Sequence, residues 1–189
     1  MKIILASASP RRKELMDLME VPYQVIPSQF DEKRDESLEP EKQVEKLAYG
    51  KAKDVLDRTT GDRIIIGSDT LVYKDGKFYG KPKTEDVARK MLEELKDAYH
   101  EVITGLSIFI VKDDVVQEYI SHDTTRIHIK DMSEKEIDQW IATGKALDKA
   151  GAYAIQEEFC VFIDRIEGSY FSTIGLPVHQ VYDVIKQYC

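Results

Sequence analysis

Cysteine is nearly missing from this sequence, which holds only Cys160 and Cys189 among 189 residues. That excludes a disulfide framework and makes a reducing cytoplasm the expected location. Long apolar runs are missing too. A stretch such as Gly105 to Val111 falls far short of the roughly 20 residues a membrane helix needs, so no membrane partner is expected. Met1-Lys2-Ile3-Ile4-Leu5-Ala6-Ser7 offers too short an apolar run for a signal-peptide core of about 7–15 residues.

Positive charge is in deficit, with 27 Lys and Arg against 35 Asp and Glu, a net charge of −8 and a pI near 5.1. Non-specific binding to nucleic acid rests on neutralising phosphates, so no nucleic-acid partner is expected. The sequence has no glycine-rich P-loop, no dinucleotide fingerprint and no CxxC pair. Its four histidines, His100, His122, His128 and His179, lack zinc spacing.

What is present describes a globule. Apolar residues make up 42% and charged residues 33%, which excludes collagenous, disordered and low-complexity classes. A chain of this length buries about 70% of its unfolded surface, and residues 1–189 are expected to form a single catalytic domain.

Residues 2–6 read as a buried strand. Ser9-Pro10 then opens a helix to about Met19, with Ser9 as N-cap and Pro10 in the first turn. A charged loop covers Asp31 to Glu39, and a helix with apolar period follows from Pro40 to about Arg58. Ile64-Ile65-Ile66 and Thr70 to Tyr73 read as strands on either side of Gly67-Ser68-Asp69, and Asp75-Gly76 signals a hairpin. Thr84 caps a helix through Leu95, strands occupy Val102 to Val111 and Val115 to Ile129, and Ser133 with Glu136 forms a capping box. Cys160 to Ile166 with Tyr170 to Ile174 read as another hairpin, and Pro177 starts a last helix. The mixture predicts an α/β fold with a mixed, strongly twisted sheet and flanking helices.

Against this acidic background some cations break the local rules. Ser7-Ala8-Ser9-Pro10-Arg11-Arg12-Lys13 sets three positive side chains at a helix N-terminus, whose free N–H groups are already positive. A bound phosphate reverses the sign of that cost; pairing with Glu14 and Asp17 is the alternative. Lys51 follows Leu47 and Ala48 by four and three residues and so falls on the apolar stripe, where it either reaches a cleft or snorkels to water. Asp69 ends a run apolar enough for a central strand and needs a metal, a cation or N–H partners, unless it is a turn residue. Asp31-Glu32 offers hard oxygen ligands of the kind magnesium uses, or is simply solvated. Gly80-Lys81-Pro82 adds a cation at the hairpin exit. The small-residue segment from Asp148 ends in the amide of Gln156, which can donate and accept toward a base edge or lie on the surface.

Together, Ser7-Ala8-Ser9-Pro10-Arg11-Arg12, Lys51-Ala52, Gly67-Ser68-Asp69-Thr70, Gly80-Lys81-Pro82, Asp148 to Gln156 and Gly175-Leu176-Pro177 resemble, in order and spacing, the Maf family of nucleoside triphosphate pyrophosphatases. The resemblance implies two lobes around a nucleotide cleft, in a fold like that of the inosine-triphosphate pyrophosphatases. It also implies hydrolysis of a nucleoside triphosphate to monophosphate and pyrophosphate, a divalent cation (Mg or Mn) and a homodimer. It puts the catalytic carboxylate on Asp69, either accepting the proton of the attacking water or holding the metal that activates it, phosphate contacts on Ser7, Ser9, Arg11, Arg12, Lys51 and Lys81, and a metal pair on Glu32 and Asp69. Arg11, Thr70 and Gln156 match the branch acting on dTTP and UTP, whereas Ser68 and Glu157-Glu158 depart from it. A nucleotide-sensing protein in septation, or a phosphatase taking the terminal phosphate, would use the same parts.

Overall fold

The computed structural model describes residues 1–35 and 37–188; Glu36, in the charged loop, and Cys189 lie outside them. The chain divides into two compact units. The first comprises Met1–Thr70, Thr104–Asp123 and Gly175–Cys189, the second Leu71–Ile103 and Thr124–Ile174.

The expected mixed α/β architecture is present. A seven-stranded mixed sheet has the order β2-β1-β3-β5-β6-β7, with β4 added to β3. Its strands are β1 (Lys2–Leu5), β2 (Tyr23–Val25), β3 (Arg63–Lys74), β4 (Lys77–Tyr79), β5 (Ala98–Lys112), β6 (Val115–Ile129) and β7 (Ile163–Glu167). The helices are α1 (Pro10–Asp17), α2 (Pro40–Asp57), α3 (Glu85–Leu95), α4 (Glu134–Ala142), α5 (Tyr170–Ile174) and α6 (Val178–Ile185).

In the first unit, β1 runs parallel to both β2 and β3, with Ile4 beside Ile65. Ile4, Ala52, Val55, Ile65 and Phe109 form a core between α2 and the strands. The sequence suggested strands on either side of Gly67-Ser68-Asp69, with a turn there as the alternative for Asp69; β3 instead runs unbroken from Arg63 to Lys74. Gly67 serves close packing rather than a turn, since a Cβ there would lie 2.4 Å from the Ala48 carbonyl oxygen and 2.8 Å from the Ala52 Cβ. Gly105 on β5 does the same, with its would-be Cβ 2.3 Å from the carbonyl oxygen of Val44. The two glycines let α2 settle directly on the strands, which is what brings Lys51 down onto β3.

In the second unit, the Asp75-Gly76 hairpin forms as expected: both residues have positive φ, 48° and 82°, and Val72 pairs with Tyr79. Thr84 accepts from the Val87 amide, and the Ser133–Glu136 capping box is complete. The hairpin expected across Cys160 to Ile174 does not form. Only Ile163–Glu167 is strand, antiparallel to β6, and Tyr170–Ile174 is a helix. Its aromatic and β-branched residues suit a strand. Ser169 overrides them, because its hydroxyl accepts from the Ser172 amide at 3.3 Å and its carbonyl from Thr173 at 3.3 Å.

Candidate active site

Asp69 sits two residues beyond Gly67 on the extended β3, so its side chain leaves the same face, toward α2. There the Lys51 ammonium meets Asp69 Oδ1 at 2.6 Å and Glu32 Oε1 at 3.0 Å. Lys51 and Asp69 are 6% and 7% exposed, so the snorkelling alternative for Lys51 does not hold and Asp69 has the cation its burial demands. The loop carrying Glu32 is anchored by Phe30, whose ring occupies the space a side chain at Gly50 would need, with Cζ 2.4 Å from the position of a Cβ. Asp31, by contrast, pairs with Lys33 on the surface and takes no part.

The β1–α1 connection supplies the second group. Ser9 takes the N-cap backbone of α1 without a side-chain capping bond, and its amide donates to Ser7 Oγ at 3.2 Å. Arg12 also reaches Ser7 Oγ, at 3.2 Å, and donates through Nε to the Gly175 carbonyl at 2.8 Å. The pairing considered with Glu14 and Asp17 is not what holds it; Asp17 accepts from the Tyr23 hydroxyl. Two of the five N–H donors of Arg12 are thus turned to these protein acceptors. Burial pulls its guanidinium below the ordinary value, opposed by the charges of Asp69 and Glu32 and reinforced by Arg11. Arg11 is half-buried on the same turn. Thr70 shares a hydrogen bond with Thr104 at 2.9 Å.

Lys81 and Gln156 belong to the second unit, Lys81 exposed and Gln156 half-buried. Gly80 accepts from the Gly151 amide at 3.2 Å, which puts Lys81 next to the loop that leads to Gln156. That loop has Gly151 and Ala152 both at positive φ, 70° and 66°, and the Trp140 indole pins the Ala152 carbonyl at 2.8 Å. The two acids after Gln156 are matched by lysines: Glu157 by the buried Lys149 at 3.2 Å, Glu158 by Lys145 at 2.5 Å.

A divalent cation can be tested against this donor set. Among the described residues no group of three or more His, Cys, Asp or Glu is placed to hold a metal ion. Asp69 and Glu32 are nevertheless two carboxylates sharing one cation, and magnesium uses one or two carboxylates completed by substrate phosphates and water. The residues fit a cation that arrives with a polyphosphate, not a closed protein cage.

Sequence reasoning passed over the Gly175 carbonyl, which contributes through its backbone. Gly175-Leu176-Pro177 ahead of the last helix was the available signal.

The model of the Maf-like protein family matches residues 2–188. The chain belongs to the Maf family. It is 43% identical over 189 residues to a dTTP/UTP pyrophosphatase of Alkaliphilus metalliredigens, covering 99% of this chain and 96% of that one. A dTTP/UTP pyrophosphatase of Alkaliphilus oremlandii is 39% identical over 187 residues, with the same shares covered. Among solved structures, a HAM1 protein from Coxiella burnetii aligns over 99% of both chains at 16% identity and a TM-score of 0.49. No helix among the described residues of this Maf protein is long and apolar enough to cross a membrane.

Proposed function

We propose that this Maf protein hydrolyses nucleoside triphosphates, with dTTP and UTP preferred, to the monophosphate and pyrophosphate. The observation that carries the proposal is the buried Lys51–Asp69 pair with Arg12 in the field of the same carboxylates. A carboxylate is held among cations in an acidic chain, an arrangement suited to a polyanion attacked by water. Relatives about 40% identical over nearly the whole length, named for that reaction, support the same conclusion.

In this proposal Arg12 and Lys51, with Ser7, Ser9, Arg11 and Lys81, hold the triphosphate and spread the charge that grows as the α-phosphorus is attacked. Asp69 takes a proton from the attacking water, whose oxygen bonds to the α-phosphorus as the bond to the bridging oxygen breaks and pyrophosphate leaves. Asp69 and Glu32 are also the residues that would hold a divalent cation (Mg or Mn). When bound, it neutralises triphosphate charge. Gln156 and Thr70 are assigned to base selection. A cytoplasmic location and a homodimer belong to the same proposal; the near-absence of cysteine supports the location.

Product analysis with dTTP tests the reaction. Pyrophosphate with dTMP supports it, orthophosphate with dTDP makes the protein a phosphatase, and tight binding without turnover makes it a nucleotide sensor.

A further inference from the structure

Ser68, directly before Asp69, is fully buried and points to the opposite face of β3. Its Oγ lies 2.8 Å from the carbonyl oxygen of Gly105 and 2.9 Å from that of Gly175. A hydroxyl has one proton, so these two acceptors share it. The Gly175 oxygen has two lone pairs, and its other donor is Arg12 Nε at 2.8 Å. Gly175 itself has φ 134°, a backbone that side-chain-bearing residues adopt only with strain, so its carbonyl is aimed by a conformation glycine alone takes easily.

We propose that Ser68 is a positioning residue for Arg12: by holding the Gly175 carbonyl it fixes the guanidinium, and with it the direction of the donors that Arg12 turns to phosphate. The inference rests on the reading of Arg12 as a phosphate contact. It makes one strand responsible for two parts of the site, Asp69 on one face and the Arg12 anchor on the other. The connections span 107 residues from Ser68 to Gly175 and 163 from Arg12 to Gly175, so three separate segments meet at one carbonyl. With alanine at position 68 that oxygen keeps Arg12 as its donor but loses its tie to β3. The guanidinium then samples more orientations and binds phosphate less well.

A double-mutant cycle tests this with Ser68→Ala, Arg12→Lys and the combination. It is read twice: as the Kd for inorganic tripolyphosphate by calorimetry, and as kcat/KM for dTTP. Lysine cannot make the Nε contact, so the effect of Ser68 must vanish with it. Ser68→Ala is expected to weaken tripolyphosphate binding about five- to tenfold in the presence of Arg12 and less than about twofold in the Arg12→Lys background. Equal losses in both backgrounds, no loss in either, or no tripolyphosphate binding by the unsubstituted protein would overturn the proposal. A merely structural Ser68 gives the equal losses. Coupling in Kd without pyrophosphate release would leave the positioning role standing and remove the pyrophosphatase assignment; pyrophosphate release without coupling does the reverse. If Ser68→Ala does not fold, Ser68→Cys, a weak donor of similar shape, carries the same cycle.

Discussion

The ammonium of Lys51 and the Oδ1 of Asp69 are 2.6 Å apart, one on α2 and one on β3, both shielded from solvent. Neither group is stable in that place without the other or a substitute for it. The contact exists because Gly67 and Gly105 lack the side chains that would lift α2 away.

Asp69→Asn keeps the shape of the side chain and removes its charge. Turnover should fall about 10²- to 10⁴-fold, as for loss of a general base, while circular dichroism stays that of the unsubstituted protein. A variant retaining more than about a tenth of the rate would remove Asp69 from the chemistry.

Lys51→Met leaves Asp69 buried beside Glu32 without their shared cation. The cost should be about 3 kcal/mol in denaturant unfolding at neutral pH. Combining Lys51→Met with Asp69→Asn should recover most of that stability, with activity lost in both. If Lys51→Met is as stable as the unsubstituted protein, the pair is not the interaction described.

Gly67→Ala would place a methyl group against the backbone of α2, which cannot yield as a flexible side chain can. Destabilisation of about 1–3 kcal/mol is expected. Activity at a temperature where the variant remains folded should also fall, because α2 carries Lys51.

How far these features were legible in the sequence follows from how local they are. Lys51 broke the apolar period of its own helix, Asp75-Gly76 and the Ser133–Glu136 box are short-range signals, and each stands where it was expected. Gly67-Ser68-Asp69 misled, because a glycine that admits a neighbouring helix is spelled like one that makes a turn. Tyr170–Ile174 misled because its strand-forming side chains outweighed a single capping serine in the pattern. Gly175-Leu176-Pro177 stood out in the sequence as a motif, but the role of the Gly175 carbonyl did not, since its partners are set by three distant segments folding together.

His100 gives a pH dependence independent of the site. It is 2% exposed, its Nε2 is 2.6 Å from the Tyr153 hydroxyl, and burial, with smaller contributions from Lys74 and His128, pushes its pKa down to about 3. The unfolded chain takes up this proton near pH 6.5 and the folded chain only near pH 3, so acid favours unfolding in between. From this group stability should fall by up to about 1.4 kcal/mol per unit as pH drops below 6.5, levelling off near 3. Unfolding free energies at pH 7 and 5 for the unsubstituted protein and His100→Gln check it: the variant should show the smaller difference.

The Gln156 amide can accept from N3–H and donate to O4 of uracil or thymine. Cytosine reverses both groups, so the amide must flip to meet it. A site that hydrogen-bonds its substrate penalises an analogue leaving those groups unpaired. UTP should therefore exceed CTP in kcat/KM, and Gln156→Ala should flatten the ratio. A purine preference, or a ratio unmoved by the substitution, would take the base-reading role from Gln156.

In the proposed reaction water attacks the α-phosphorus, and hydrolysis of dTTP in ¹⁸O-labelled water reports on that bond directly. Mass spectrometry should find one ¹⁸O in dTMP and none in the pyrophosphate released. Label in pyrophosphate, or in orthophosphate released with dTDP, would contradict it.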